Sequence, residues 1–213
     1  MKLKHKRWIL MASIISILTA LFSGCASSRE QVQIQRSTMQ IPMLPTENNN
    51  ILVAYFSWSG NAKAIAEQIA HETGGDLFEI RAITPYPDNY RETTRVARRE
   101  LKSNTRPELT ARVSDIERYN TVFLCYPNWW GTMPTPVFTF LEAYNFSGKV
   151  IFPLVTHGGR KFGRSLKDMQ KLTPDALIGD GVSVSAMSRN PNGDPVVNTP
   201  NNDVTAWLNG LGL

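Results

Sequence analysis

Cysteine is scarce in this 213-residue chain, which contains only Cys25 and Cys125. Two cysteines exclude a disulfide-rich scaffold. The longest apolar run, residues 8–22, is shorter than the roughly 20 residues that a membrane-spanning helix needs. Metal-ligand spacing, a Ser-His-acid order and a G-x-G-x-x-G dinucleotide fingerprint are also missing. These absences argue against a metalloenzyme, a serine hydrolase and a separate nicotinamide-binding module.

The sequence has little excess charge outside its first residues. Its net charge is +5, but Lys2, Lys4, Lys6 and Arg7 contribute four of the positive charges, and residues 1–24 contain no acid. Without that segment, 19 basic residues face 18 acidic ones. A nearly neutral chain lacks the basic patch of a nucleic-acid-binding protein. We therefore expect no nucleic-acid partner.

The first 24 residues have the order of a secretory signal. A basic start precedes the charge-free run over 8–22, and Ser23, Gly24 and Cys25 follow that run. Cysteine after Ser-Gly is similar to the lipobox of bacterial lipoproteins, in which the thiol is acylated. An ordinary cleaved signal and an uncleaved anchor are the alternatives. We expect a signal peptide over 1–24 and a lipid on Cys25, which would anchor an exported protein at the periplasmic face or the cell surface.

Residues 25–50 are expected to comprise the lipidated Cys25 and a flexible tether that follows it. This stretch is rich in Ser, Gln, Asn and Pro and has no sustained hydrophobic period, so it buries too little apolar surface to order itself. The folded domain is expected over 51–213. The second cysteine, Cys125, lies in an apolar run and is expected in the core.

From residue 51 onward, apolar runs alternate with helical patterns. Continuous apolar runs are typical of parallel strands that are covered on both faces. The predicted strands are 51–56, 77–80, 121–126, 150–156 and a glycine-interrupted strand over 176–184. The predicted helices are 62–73, 88–103, 134–144, 164–172 and 203–208. This alternation predicts a doubly wound α/β fold.

In such a fold, ligands bind at the carboxyl ends of the strands. The first strand is followed by residues 57–61, a turn of serines and glycine that opens onto a helix. Backbone N–H groups, hydroxyls and the positive end of the helix together favour a phosphate. An N-capping turn is the alternative interpretation.

Two adjacent tryptophans, Trp129 and Trp130, follow the third strand in a loop bounded by proline and glycine. Exposed tryptophans are unfavourable unless they cover something flat and apolar, such as a three-ring isoalloxazine. The alternative is that one or both fill the core or a protein interface.

Residues 156–163 follow the fourth strand and contain three glycines, which allow the backbone to approach a ligand closely. His157 is either a plain loop histidine or an acid–base or flavin-contacting group. The charges of Arg160 and Lys161 are either solvated or paired with an anionic flavin or a nicotinamide phosphate.

Together, the three loops resemble those of the flavodoxin-like family, over about residues 51–212. In that family a Ser-Gly-Asn-Thr turn wraps the phosphate of flavin mononucleotide (FMN), and here Ala62 stands at the threonine position. The tract 126–131 is similar to a Tyr-Pro-x-Trp-Trp-Gly loop whose tryptophans lie against the isoalloxazine, and 156–159 is similar to a third flavin loop. The resemblance implies a five-stranded parallel sheet of order 2-1-3-4-5. The residues that it places at FMN are Ser57, Trp58, Ser59, Gly60, Asn61, Ala62, Pro127, Asn128, Trp129, Trp130, Gly131, Thr156, His157, Gly158, Gly159 and Gly163.

Three functions are compatible with this resemblance. The first is an FMN-dependent oxidoreductase that passes electrons from a donor, such as NAD(P)H, to a small acceptor, such as a quinone. The second is a one-electron carrier between proteins, although such carriers are typically strongly acidic and this chain is nearly neutral. The third is a domain without flavin that binds a partner through its tryptophans. The sequence identifies no catalytic residue of its own.

Overall fold

The computed structural model of the chain describes residues 50–186, 188–189 and 195–213. The expected signal peptide over 1–24, Cys25 and the tether up to residue 49 lie outside the described residues. Six parallel strands form the main sheet. They are β1 (Ile51–Tyr55), β2 (Asp76–Glu79), β3 (Thr121–Pro127), β4 (Val150–His157), β5 (Leu177–Ile178) and β6 (Val182–Ser185).

The strand order is β2-β1-β3-β4, with β5 and β6 both paired to β4. This arrangement confirms the predicted order 2-1-3-4-5, with the fifth strand in two pieces. The break falls at Gly179–Gly181, where the backbone runs too close to β4 for larger side chains. A Cβ atom on Gly179 would lie 2.4 Å from the Phe152 ring, and one on Gly181 would lie 2.6 Å from the Pro153 carbonyl oxygen. The predicted glycine interruptions are thus confirmed, and close packing explains them.

Within the described residues, five α-helices connect and cover the strands, and each begins and ends within two residues of its predicted boundaries. Side-chain caps begin two of them, because Asn89 Oδ1 accepts from Glu92 N and Asn201 Oδ1 accepts from Val204 N. A short antiparallel pair of strands, β7 (Ser188–Arg189) and β8 (Pro195–Val196), which the sequence did not indicate, precedes the last helix. The helices are α1 (Asn61–Thr73), α2 (Tyr90–Ser103), α3 (Thr135–Glu142), α4 (Ser165–Leu172) and α5 (Asn202–Gly210).

Side chains of the central strands alternate between two cores. Leu52 of β1 belongs to the core on the α3 and α4 side, whereas Val53 belongs to the core on the α1 and α5 side. Burial on both faces explains why the strands are continuous apolar runs. Cys125 is fully buried in the second core, which confirms its predicted place, and burial raises the pKa of its thiol. None of the helices in the described residues is long and apolar enough to cross a membrane.

Candidate functional site

A cavity of about 510 Å³ opens at the carboxyl edge of the sheet, where the loops after β1, β3 and β4 meet. The strand order reverses between β1 and β3, and a doubly wound sheet places its ligand at such a switch point. Seven of the predicted site residues line the cavity. They are Trp58, Asn128, Trp129, Trp130, Gly131, His157 and Gly158.

The other nine predicted residues lie in the same three loops or next to them, but they do not line this cavity. They are Ser57, Ser59, Gly60, Asn61, Ala62, Pro127, Thr156, Gly159 and Gly163. Thr156 and Ala62 are buried, at 3% and 1% exposure. The three loops thus lie at one edge of the sheet. Seven of the predicted residues line the cavity, three of the others are buried, and Ser59, Gly60, Gly159 and Gly163 are exposed outside it.

The turn before α1 contains a buried polar atom without a partner. Ser57 Oγ is the only buried side-chain nitrogen or oxygen in the described residues that makes no hydrogen bond. Helix α1 begins after Gly60, whose φ of 84° places it in the left-handed region, and no side chain caps the helix. Such a helix start presents N–H groups that an anion satisfies. A hydroxyl and a helix start both in need of a partner make this turn suitable for a phosphate.

The remaining side chains of this turn contact the protein itself. Asn61 Oδ1 accepts from Val197 N at 3.0 Å, and Asn61 Nδ2 donates to Ser59 Oγ at 3.1 Å. The Lys63 ammonium lies 3.7 Å from a carboxylate oxygen of Glu67 on the exposed face of α1. Asn61 therefore holds the turn against the segment that precedes α5.

The two adjacent tryptophans occupy a tight turn after β3. Trp129 N donates to Thr132 O at 2.9 Å, and Thr132 N donates back to Trp129 O at 3.1 Å. Trp130 and Gly131, the two central residues, have φ values of 53° and 83°. Two positive φ angles characterise a type I′ turn, which bulky residues rarely occupy because of steric strain. Strain of this kind is concentrated at functional sites.

Each tryptophan combines a packing contact with a place on the cavity wall. Trp129 is half-buried, with its ring 5.3 Å from Phe56 and 5.1 Å from Tyr86, both in edge-to-face geometry. Trp130 is 50% exposed, and its Nε1 donates to Thr94 O at 3.0 Å. Trp129 therefore packs against the core and also faces the cavity.

Helix α2 forms a wall of the cavity that the sequence did not predict. Its contribution is Tyr90, Thr93, Thr94 and Ala97, and Arg160 of the third loop also lines the cavity. The Glu100 carboxylate holds the helix in place by accepting from Tyr86 Oη at 2.6 Å and Thr135 Oγ1 at 2.5 Å. The uncharged residues 90, 93, 94 and 97 recur at helical spacing and lie on one face of this arginine-rich helix. That spacing is the sequence signal that could have indicated this wall.

Asn128 joins the tryptophan turn to the third loop. Its Nδ2 donates to Lys161 O at 2.6 Å, and its Oδ1 accepts from Gly131 N at 3.0 Å. Its backbone N–H donates to Thr156 O at 2.8 Å. One side chain thereby sets the distance between two loops that face the cavity.

His157 lines the cavity as a neutral imidazole. Its Nδ1 accepts from Gly159 N at 2.9 Å, which leaves the ring proton on Nε2. Partial burial and, second, the Lys161 ammonium lower the pKa of His157 below its usual value. The histidine therefore supplies an N–H donor at neutral pH. Among the residues that the structure describes, Arg160 is the only charged one that lines this cavity.

Comparison with known proteins identifies relatives of this chain. A family model described as Flavodoxin matches residues 50–196. A protein from Bacteroides eggerthii described as a flavoprotein is 31% identical, with a TM-score of 0.61 over 78% of this chain and 99% of that one. A similarly described protein from Bacteroides uniformis is 26% identical, with a TM-score of 0.63 over 75% of this chain and 97% of that one.

A flavoprotein from Lactobacillus acidophilus, whose crystal structure is a complex with FMN, shares the fold. It is 22% identical, with a TM-score of 0.54 over 65% of this chain and 93% of that one. No significant match was found among curated proteins.

Proposed function

The chain belongs to the flavodoxin family, and on that premise we propose that it holds FMN in the cavity at the carboxyl edge of its sheet. The observation that carries the proposal is Ser57 Oγ, a buried hydroxyl without a partner in the described residues, in the turn that begins α1. Buried polar groups in native proteins almost always bond protein, ordered water or a ligand, so this hydroxyl is free to bond a ligand that enters the turn. A phosphate at the uncapped start of α1 accepts its hydrogen bond.

The rest of the site fits a flavin. The cavity of about 510 Å³ lies within the 300–1,000 Å³ that is typical of small-molecule sites. Trp58, Trp129 and Trp130 provide apolar surface for a planar ring system. His157, whose Nε2 carries the ring proton, and Arg160 supply polar donors on the same cavity wall.

When bound, FMN supplies transfer of one or two electrons. The chain contributes binding and orientation. The turn before α1 binds the phosphate, the tryptophan rings exclude water from the cavity, and His157 holds a proton on Nε2 that is available to a hydrogen-bond acceptor. Asn128 keeps the two contacting loops at a constant distance.

Replacing Ser57 with alanine tests this proposal. We expect FMN binding to weaken by about 1.5–3 kcal/mol, the contribution of a hydrogen bond to a charged group. We expect the FMN-free protein to be as stable as wild type or more stable, because the substitution removes an unsatisfied buried hydroxyl. Flavin fluorescence titration and urea unfolding measure the two effects.

Ser165→Ala is the matched control for stability. Ser165 is also buried, but its hydroxyl contacts Tyr126 Oη at 2.8 Å and donates to Phe162 O at 2.7 Å. Its loss is therefore expected to destabilise the protein by about 1–3 kcal/mol. Failure of wild-type protein to bind FMN at high micromolar concentration would contradict the proposed function and favour a flavin-free, partner-binding domain.

We propose that the acceptor of the electrons is a small molecule such as a quinone. Support comes from the nearly neutral charge of the chain without its basic start, since electrostatic steering toward a protein partner needs a strong charge of one sign. Photoreduced, FMN-loaded protein is expected to reoxidise anaerobically at a rate that rises with the concentration of a soluble quinone, as stopped-flow absorbance measures. A rate independent of quinone concentration would favour the one-electron carrier.

We also propose that the protein is exported and anchored through a lipid on Cys25. Support comes from the sequence order of charge, apolar run and small residues before that cysteine. In a bacterial host fed labelled palmitate, the wild-type chain is expected to carry label and Cys25→Ser to carry none. Cys125→Ala is the control and should remain labelled, because that thiol is buried in the core. Label on Cys25→Ser would refute the anchor.

A further inference from the structure

A second recess adjoins the cavity at the tryptophan turn. It is a shallow groove of about 500 Å³, lined by Leu101, Trp130, Gly131, Arg160, Gly163 and Arg164. Trp130, Gly131 and Arg160 line both recesses. A molecule in the groove would therefore lie next to the occupant of the cavity, with the half-exposed Trp130 ring between them.

Two of the residues that line the groove, Arg160 and Arg164, are arginines. Arg160 has no carboxylate within ion-pair distance in the part of the chain that the structure describes. Arg164 Nε lies 3.0 Å from Asp168 Oδ2, an oxygen that also accepts from Thr132 Oγ1 at 2.6 Å. This contact orients the guanidinium and leaves its two terminal nitrogens for another acceptor.

A third guanidinium strengthens the positive field at this end of the turn. Arg98 of α2 lies over the Trp130 ring, 5.0 Å from its centroid. Neither recess is lined by an acidic residue in the described part of the chain. Planar guanidinium groups match phosphate and carboxylate oxygens in bidentate geometry, which lysine does not provide.

We propose that this groove binds the phosphate or carboxylate group of a small-molecule second substrate, whose reacting part extends past Trp130 to the cavity. The inference deepens the proposed function and rests on it, because a redox centre in the cavity is what a second substrate would need to reach. Arg160 is the contact shared by the two recesses, and Arg164 is oriented by Asp168 toward the same bound anion.

The test uses the full chain in detergent, with and without FMN, and calorimetric titration with pyrophosphate or succinate as separate probes. Arg160→Gln and Arg164→Gln are each expected to weaken the binding of the preferred probe by about tenfold, the change that 1.4 kcal/mol produces. Lys171→Gln removes the same charge from the last turn of α4 and is expected to leave binding within about twofold of wild type. Preference for one probe distinguishes a phosphate-bearing from a carboxylate-bearing substrate.

Three outcomes would overturn the proposal. The first is that neither probe binds. The second is that Lys171→Gln weakens binding as much as the arginine variants do, and the third is that FMN loading abolishes binding. The second outcome would indicate diffuse charge, and the third would place the anion in the turn of Ser57. Arg164→Lys, which keeps the charge beside Asp168, replaces Arg164→Gln if that variant does not fold, and is also expected to bind more weakly. If the protein fails to bind FMN but still binds a probe through Arg160, the proposed function is refuted and the anion site is supported.

Discussion

Gly163→Ala is expected to destabilise the protein by about 2–5 kcal/mol, the combined scale of overpacking and a strained backbone. A Cβ atom on Gly163 would lie 2.3 Å from the carbonyl oxygen of Gly131, and Gly163 has a φ of 56°. The clash is with backbone, so no side-chain rotation relieves it. That same carbonyl accepts from Arg164 N at 2.8 Å, which fixes the distance between the two loops.

Gly158→Ala is the matched control in the same loop. Gly158 has no atom within 4 Å of an added Cβ, and its φ lies outside the left-handed region. We expect its unfolding free energy to change by no more than about 0.5 kcal/mol. Urea unfolding of both variants and wild type measures the difference. Equal midpoints for the two variants would show that the loops accommodate the extra methyl group and do not hold the Gly131 carbonyl oxygen against position 163.

Trp129→Ala is expected to have two separable effects. The FMN-free protein should lose about 3 kcal/mol of stability, the lower end for truncation of a buried Trp, because the ring is half-buried against Phe56 and Tyr86. FMN binding should weaken by about a further 1–3 kcal/mol if the ring stacks on the flavin as aromatic side chains stack on nucleobases. Urea unfolding and fluorescence titration at low temperature measure the two separately.

Trp207→Ala distinguishes lost packing from lost stacking. Trp207 lies in α5 on the other face of the sheet, with its ring 5.5 Å from Phe123, and it does not line the cavity. Its truncation is expected to lower stability without changing the dissociation constant for FMN. The stacking role is refuted if Trp129→Ala and Trp207→Ala weaken FMN binding equally, or if Trp129→Ala leaves it unchanged.

Much of the fold was predictable from local patterns in the sequence. The run from Ile51 to Tyr55 is apolar throughout because both faces of β1 are buried. Helix α1 ends at Thr73, the predicted boundary, and the φ of 70° at its C-cap residue Gly74 suits glycine. The split of the fifth strand was visible as glycines, but its cause, the closeness of Phe152 and Pro153, required the structure.

The wall formed by α2 was less predictable. Tyr90 and Thr94 reach the cavity because Glu100 bonds Tyr86 and Thr135, residues that are distant from one another in sequence. The sequence of residues 90–103 alone does not specify that Glu100 bonds Tyr86 and Thr135. The uncharged residues of this helix nevertheless line the cavity.

The sequence by itself determined the alternation of strands and helices and the three loops that meet at one edge of the sheet. Those features follow from hydrophobic period, turn residues and the rule that parallel strands end together. Only the tertiary structure decided what each loop side chain contacts. Asn61 and Asn128 bond protein backbone, while Ser57 Oγ has no partner in the described residues. The physical reason is that hydrogen bonds and close packing depend on distances of a few tenths of an ångström between segments far apart in the chain, which no local pattern encodes.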